Sequence, residues 1–215
     1  MIDEIVVIKL PHRTDRRSRM EAQMRSADIN FVFADGILVD IAEVREEEMG
    51  RMDMCNNTRS HDDHSYIAGS VGCARAHAAV LRQALMSKMT GALLIVEDDC
   101  CFVTNWWKQL AAAMQKLPGN WIQLYLSVFE RNAAKHEQDS CLRQVRSGLH
   151  TTAIVYNRAT LAFCLNVIET SGCEVDVAFA RHLHPLGRCF CVKPMLSYQS
   201  GGYSDVKHVG VGRTY

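Results

Sequence analysis

The sequence predicts an α/β fold, an α/β/α sandwich in which helices cover both faces of a largely parallel central sheet. Short apolar and β-branched runs, typical of buried strands, alternate along the chain with segments whose apolar residues recur at helical spacings of three and four. This alternation favours a parallel sheet, because consecutive parallel strands are joined through crossover helices. The length of 215 residues fits one domain rather than two.

Each element is predicted from its local pattern. The first strand ends at Pro11, and the second is closed by the turn pair Asp35-Gly36. The clearest helix has Ser70 as its N-cap and an apolar stripe that ends near Ser87. The predicted strands are residues 5–10, 30–34, 92–96, 121–126, 151–156 and 188–192, and the other predicted helices are residues 18–25, 106–116, 159–168 and 175–182. A helix followed by a mobile loop is predicted for residues 40–64, and a loop for residues 131–140.

Charge and hydropathy exclude several classes of protein. The 24 Lys and Arg residues balance 24 Asp and Glu residues, so no net field favours nucleic acid or an anionic membrane. No apolar run approaches the roughly 20 residues of a membrane-spanning helix, and the acidic Asp3 and Glu4 stand where a secretion signal is basic. The nine cysteines lack the C-x-x-C pairing of a zinc site. We therefore expect a soluble cytoplasmic protein with free thiols and no transmembrane segment.

Three carboxylates follow the predicted strand 92–96 directly: Glu97, Asp98 and Asp99, here called the strand-end carboxylates. Like charges at one strand end repel each other unless a cation or a donor lies among them. In an extended chain Glu97 and Asp99 point to the same side, so that both can address one hard divalent cation. The alternative is a solvated turn, or a helix N-cap formed by Asp99.

A basic loop follows the first predicted strand. Five of the eight residues 12–19 are basic, and Arg13, Arg16 and Arg17 are guanidinium groups suited to a nucleotide diphosphate. Taken alone, such a run is also typical of a solvated surface. The chain lacks the G-x-G-x-x-G, G-x-x-x-x-G-K-[ST] and G-x-S-x-G motifs, which disfavours a dinucleotide fold, a P-loop and an α/β-hydrolase.

Several of these segments together resemble glycosyltransferase family 25, the group of lipopolysaccharide and collagen galactosyltransferases. The resemblance lies in Ile8-Lys9-Leu10 with the basic loop, Ala34-Asp35-Gly36, Gly72-Cys73 with His77, Leu94 to Asp99, residues 121–126 and 151–156, Asp176, and Pro194 to Gln199 with Ser204. The chain is also similar to short sugar-transfer domains of large algal viruses. This sequence departs from the family pattern at Lys9, Ala76 and Gln123, where Asn, Ser and Asp are usual.

The resemblance implies a single GT-A domain over residues 1–215, a UDP-sugar donor, Mn²⁺ (or Mg²⁺) and an inverting displacement. Asp99 is the expected direct metal ligand, and Glu97 is expected to contact the ribose or a metal-bound water. The resemblance to other GT-A enzymes implies that His208, in the glycine-rich tail, supplies a further metal ligand from late in the chain. The expected donor-binding residues are Leu10, Arg13, Arg16, Arg17, Asp35, His77, Glu97 and Asp98. The donor part is expected to span about residues 1–100, and the acceptor part about residues 101–215.

An inverting transfer needs a base to take the proton of the acceptor hydroxyl. We predict Asp176 as this base, with Glu174 as the alternative, because both lie at the start of a predicted helix on the acceptor side. A helix N-terminus lowers the pKa of a carboxylate, and Asp176 as a simple cap is the competing interpretation. The expected partners are a nucleotide-sugar and a glycan or glycolipid. Competing functions are a nucleotidyltransferase, which would release pyrophosphate rather than UDP, and a nonenzymatic nucleotide- or glycan-binding module.

Overall fold

A seven-stranded sheet forms the centre of the molecule, in a computed structural model that describes residues 1–46, 48, 64–130, 141–204 and 209–211. Its strands are β1 (Ile2–Lys9), β2 (Val32–Asp35), β3 (Ala92–Glu97), β5 (Gln123–Tyr125), β7 (Leu142–Gln144), β9 (Ala153–Tyr156) and β10 (Cys189–Val192), in the order β2-β1-β3-β9-β5-β10-β7. Strand β9 is antiparallel to β3 and β5, and β7 is antiparallel to β10. The other three neighbouring pairs are parallel, so five of the seven strands, all except β9 and β7, run in the same direction. This confirms the predicted largely parallel sheet.

Three two-stranded sheets accompany the central one. They pair β4 (Cys100–Phe102) with β11 (Ser197–Gln199), β6 (Phe129–Glu130) with β8 (Gly148–Leu149), and β12 (Gly202–Ser204) with β13 (Val209–Val211). The α-helices of the described residues include α1 (Thr14–Ser26), α2 (His64–Met86), α3 (Trp106–Met114), α4 (Leu161–Ser171) and α5 (Val175–His182). Short 3₁₀ helices cover Ile41–Glu43, Arg158–Thr160 and His184–Leu186.

Alternate residues of the central strands face two different cores. Val6 of β1 and Ile95 of β3 pack with helices α2, α4 and α5, whereas Val7 and Val96 pack with α1 and α3. Because both faces are covered, β3 is apolar at every position from Ala92 to Val96, and all five are buried. The predicted α/β/α sandwich is therefore confirmed.

The clearest predicted helix begins earlier than expected. Helix α2 begins at His64, so Ser70 is a buried residue inside the helix and not its N-cap. A side chain at Gly72 would place Cβ 2.3 Å from the carbonyl oxygen of Ile37, so this glycine permits close packing of the segment that follows β2 against the helix. That packing stabilises the first turns of α2. Their Gly and Ser residues have low helix propensity, so the sequence pattern did not predict these turns as helical.

The prediction of free thiols is wrong for Cys173, which is disulfide-bonded. Seven others are free, and Cys55 lies outside the described residues. The cysteines therefore do not indicate a reducing compartment. Residues 49–63 and 131–140, which carry two of the loop predictions, lie outside the described residues, as does His208. Within the described parts of the chain, no helix is long and apolar enough to cross a membrane.

Candidate active site

A cleft of about 680 Å³ lies at the carboxyl ends of β1 and β3. The antiparallel β9 contributes the residues before its first position, Thr151 and Thr152, to the same edge. Helix α2 and the start of α5 line it on further sides. Of the predicted site residues, the lining includes Leu10, Arg16, His77, Glu97, Asp98, Asp99, Glu174 and Asp176. Ligands in open α/β sheets bind at this end of the strands.

The backbone of the strand-end carboxylates is fixed by both neighbouring strands. Glu97 donates its N–H to the carbonyl of Thr152 (2.9 Å), and Asp98 donates to Ile8 (3.1 Å). Asp98 and Asp99 form the tight turn between β3 and β4. Helix α3 begins only at Trp106, with Asn105 at its N-cap position, so the alternative of Asp99 as an N-cap does not apply.

Asp98 is neutralised within the protein. Its Oδ1 accepts a hydrogen bond from Arg16 Nη1 at 2.7 Å, and the residue is 5 % exposed. Burial raises the pKa of Asp98 above its ordinary value, although the Arg16 guanidinium opposes this shift. Arg16 and Asp98 were both expected to bind the donor, and in this structure they form an ion pair with each other.

Asp99 differs from its neighbour because, among the described residues, no guanidinium group hydrogen-bonds its carboxylate. Gln199 of β11 donates to Oδ2 at 2.8 Å, while the buried Oδ1 has no hydrogen-bond partner among the described residues. Burial, followed by the negative charge of Glu97, raises the pKa of Asp99 to about 7. A buried carboxylate oxygen without a donor is costly, and a divalent cation would satisfy it.

Glu97 is held by two side chains. Thr151 Oγ1 donates to its Oε1 at 2.5 Å, and His77 Nε2 lies 3.4 Å from the same oxygen. Burial raises the pKa of Glu97, but these two contacts outweigh it and leave the pKa below its ordinary value. Glu97 is thus kept ionised beside Asp99. Oxygen ligands of this kind suit Mn²⁺ or Mg²⁺, so the residues present fit the cation that the resemblance implies.

The two candidate bases lie at the start of α5, as expected. Asp176 Oδ2 accepts the N–H of His150 at 3.0 Å, and Oδ1 accepts the N–H of Val177 at 2.8 Å. The expected lowering of the Asp176 pKa by the helix N-terminus is wrong in direction, because burial raises it. Glu174 accepts a hydrogen bond from Tyr66 of α2.

Three predicted donor-binding residues lie outside the lining of the cleft. Arg13 pairs with Asp15 at 3.0 Å, and Arg17 pairs with Glu21 at 2.9 Å. Asp35 is exposed and accepts a hydrogen bond from Lys9 Nζ at 3.0 Å. The density of positive charge in the sequence did not indicate that only Arg16 of these arginines faces the cleft.

Sequence reasoning missed several cleft residues. Thr151 and Gln199 bond the strand-end carboxylates, and Cys73, Tyr66 and His150 also line the cleft. The Cys-x-x-x-His spacing on one helix was the available signal for Cys73. Gln123, which departs from the family pattern, is fully buried and bonds Tyr125 at 3.0 Å, outside the cleft lining.

The chain is similar to proteins described as family 25 glycosyltransferases. It matches "Probable inactive glycosyltransferase 25 family member 3" of Bos taurus with 25% identity over 169 residues, and "Inactive glycosyltransferase 25 family member 3" of Homo sapiens with 24% over 169 residues. Each match covers 77% of this chain and 27% of the relative, so the chain spans about a quarter of the length of these curated relatives.

A solved structure shares the fold. "Crystal structure of a glycosyltransferase involved in the glycosylation of the major capsid of PBCV-1" aligns with a TM-score of 0.54 and 11% identity over 95% of both chains. The family described as "Glycosyltransferase family 25 (LPS biosynthesis protein)" matches residues 2–163, which include the strand-end carboxylates and end before Glu174 and Asp176. With most of its 215 residues matched and a GT-A-like fold, the chain belongs to glycosyltransferase family 25.

Proposed function

We propose that this chain transfers a sugar from a nucleotide-sugar donor, with UDP as the nucleotide, to a hydroxyl group of a glycan or glycolipid, with inversion at the sugar carbon. The observation that carries the proposal is the convergence of Glu97, Asp99 and Asp176 on one cleft from separate parts of the chain. The family match supports sugar transfer, and the unpartnered Asp99 oxygen supports a cation in the cleft.

Asp99 and Glu97 would hold the divalent cation, Mn²⁺ or Mg²⁺, and His208 is proposed as a further ligand by resemblance alone. When bound, the cation supplies charge stabilisation for the departing diphosphate. Gln199 fixes one oxygen of Asp99, so that the other is left for the ligand. Thr151 and His77 orient Glu97 in the same way.

Asp176 is proposed to accept the proton of the acceptor hydroxyl. Two backbone N–H groups hold its carboxylate in one orientation, and burial makes it a stronger base than an exposed Asp. Glu174 would then position α5 against α2 through Tyr66.

The proposal is tested by comparing Asp176→Asn with Glu174→Gln in an assay of donor turnover. We expect Asp176→Asn to lower kcat by roughly 10²- to 10⁴-fold, the contribution typical of a general base, with donor and Mn²⁺ affinity nearly unchanged. Asp28→Asn is the matched control, because Asp28 is exposed and its left-handed backbone (φ 54°) is equally open to Asn. If Glu174→Gln loses turnover and Asp176→Asn keeps it, the base assignment is wrong.

A nonenzymatic nucleotide- or glycan-binding module is the second candidate, because both curated relatives are named inactive. Binding of UDP without turnover of any donor, in the presence of candidate acceptors, would favour the module. Release of pyrophosphate in place of UDP would favour a nucleotidyltransferase.

A further inference from the structure

The cleft contains a second group of metal-ligating side chains with different chemistry. One ligand atom each of Cys73, His77 and Glu97 lies within 4.8 Å of the other two. We propose that these residues bind a thiophilic divalent cation such as Zn²⁺, and that this ion inhibits sugar transfer because it takes Glu97 from the Asp99 site. The binding stands on these residues alone, and the inhibition rests on the proposed function.

The geometry is close to that of a zinc site. Cys73 and His77 are four residues apart on α2 and therefore share one helical face. His77 Nε2 and Glu97 Oε1 are 3.4 Å apart. Two ligand atoms at tetrahedral positions, each about 2.0–2.1 Å from a zinc ion, are separated by about the same distance. A zinc-bound thiolate, with its longer bond, lies about 3.6 Å from a nitrogen ligand of the same ion. The three ligand atoms, which lie within 4.8 Å of one another, would therefore draw together on binding.

His77 lacks the contacts of an ordinary buried histidine. The residue is 1 % exposed, and its Nδ1 has no hydrogen-bond partner within the described part of the chain. A buried ring nitrogen without a partner is destabilising, and no second hydrogen bond fixes which nitrogen faces Glu97. A bound cation would coordinate one ring nitrogen, Nε2 in the present ring orientation or Nδ1 after a flip of the ring.

Ligand chemistry separates the two sites although they share Glu97. Thiolate and imidazole ligands select Zn²⁺, whereas the carboxylates of Asp99 and Glu97 suit Mn²⁺ or Mg²⁺. The acidic side chains Asp99, Asp176 and Glu174 line the same cleft and attract cations to it. Cys73 and Glu97 both face the cleft, which leaves a fourth coordination position for water.

Co²⁺ is the spectroscopic probe that tests binding without any donor or acceptor. Wild-type protein titrated with Co²⁺ should show the near-ultraviolet absorption of a cobalt–thiolate bond, and Zn²⁺ should displace it. Cys73→Ser and Cys73→Ala should abolish the band, whereas Cys101→Ser, which changes another partly exposed free thiol, and Asp99→Asn should keep it. His77→Gln should weaken Co²⁺ binding by at least roughly tenfold. A band that is absent in wild type or that survives both Cys73 variants overturns the site.

Inhibition is measured separately, as donor turnover at saturating Mn²⁺ with increasing Zn²⁺. We expect Zn²⁺ to abolish turnover in wild type, and Cys73→Ser to require roughly a hundredfold more Zn²⁺ for the same inhibition. Equal sensitivity of the two proteins overturns the inhibitory role. If wild type shows no turnover, the proposed function has failed, and the Co²⁺ titration still decides whether the site exists.

Discussion

Two buried polar clusters among the described residues differ in net charge. The first, here called the His184 cluster, joins Gly148, His184, Tyr125 and Gln123. Gly148 N–H donates to His184 Nδ1 (3.2 Å), and His184 Nε2–H donates to Tyr125 Oη (2.9 Å). The Tyr125 hydroxyl in turn donates to Gln123 Oε1 (3.0 Å). Every polar atom in this chain of bonds is neutral. In the strand-end cluster Asp98 is paired with Arg16, whereas neither Glu97 nor Asp99 forms an ion pair with a Lys or Arg among the described residues.

This difference between the clusters indicates that the buried polar groups of one stabilise the fold, whereas those of the other serve function. A hydrogen-bonded neutral cluster contributes to stability and fixes the core packing. Burial and the negative charge of Glu97 raise the pKa of Asp99, so the ionised Asp99 opposes folding, and its position is explained by a ligand that binds the folded protein. Residues of the first cluster should therefore affect stability, and those of the second should affect activity.

The largest effect is expected at the charged cluster. Asp99→Asn should reduce sugar transfer to less than about a tenth of wild type, a loss above ~1.4 kcal/mol in transition-state stabilisation, because the amide keeps the shape and loses the charge. Since burial raises the Asp99 pKa to about 7, the ionised side chain destabilises the fold at pH 8. The melting temperature of the variant in metal-free buffer should accordingly equal or exceed that of wild type. A variant that melts earlier and retains transfer would reverse the roles of the two clusters.

The neutral cluster should make stability sensitive to acid. Burial lowers the pKa of His184 from 6.5 to about 4, so between these values the unfolded chain takes up a proton that the folded chain does not. The free energy of unfolding should therefore fall as the pH is lowered through this window, by on the order of 3 kcal/mol from His184 alone. Urea unfolding at several pH values measures this slope. His184→Gln does not titrate, and a profile as steep as that of wild type would show that another group is responsible.

A smaller effect separates two buried tyrosines. Tyr125→Phe removes a hydroxyl with two partners and should lower the free energy of unfolding by about 1–3 kcal/mol. Tyr156→Phe is its matched control, because the Tyr156 hydroxyl is equally buried and has no partner among the described residues. Denaturant unfolding of both variants at pH 7 is the measurement. Equal losses would mean that the hydrogen bonds of the His184 cluster add nothing to stability.

Local pattern was sufficient to predict six of the seven strands of the central sheet, all except β7, and the carboxylate edge. Five buried apolar residues before Glu97 identify β3, and the carboxyl end of a parallel strand is where ligands bind. Period-3.6 spacing likewise identifies α5, and so the position of Asp176. Roles that depend on the environment were less predictable: burial overrides the helix N-terminus in setting the Asp176 pKa.

Residues brought in by long-range pairing could not be predicted locally. Thr151 reaches Glu97 because β9 runs antiparallel to β3, and Gln199 reaches Asp99 because β11 pairs with β4. Neither strand register can be predicted from the spacing of residues within one segment. The side chains of the basic loop could not be assigned to the cleft because successive residues of helix α1 point in different directions. Arg17 lies over the ring of Phe33, whereas Arg16 pairs with Asp98.

Calorimetry of UDP binding with and without Mn²⁺ tests most directly whether the strand-end carboxylates serve a cation and a nucleotide. In wild type, Mn²⁺ should tighten UDP binding at least tenfold, about 1.4 kcal/mol. Asp99→Asn should lose this dependence on Mn²⁺, whereas the control Asp28→Asn should keep it. Mn²⁺-dependent UDP binding of equal strength in wild type and Asp99→Asn would contradict the account.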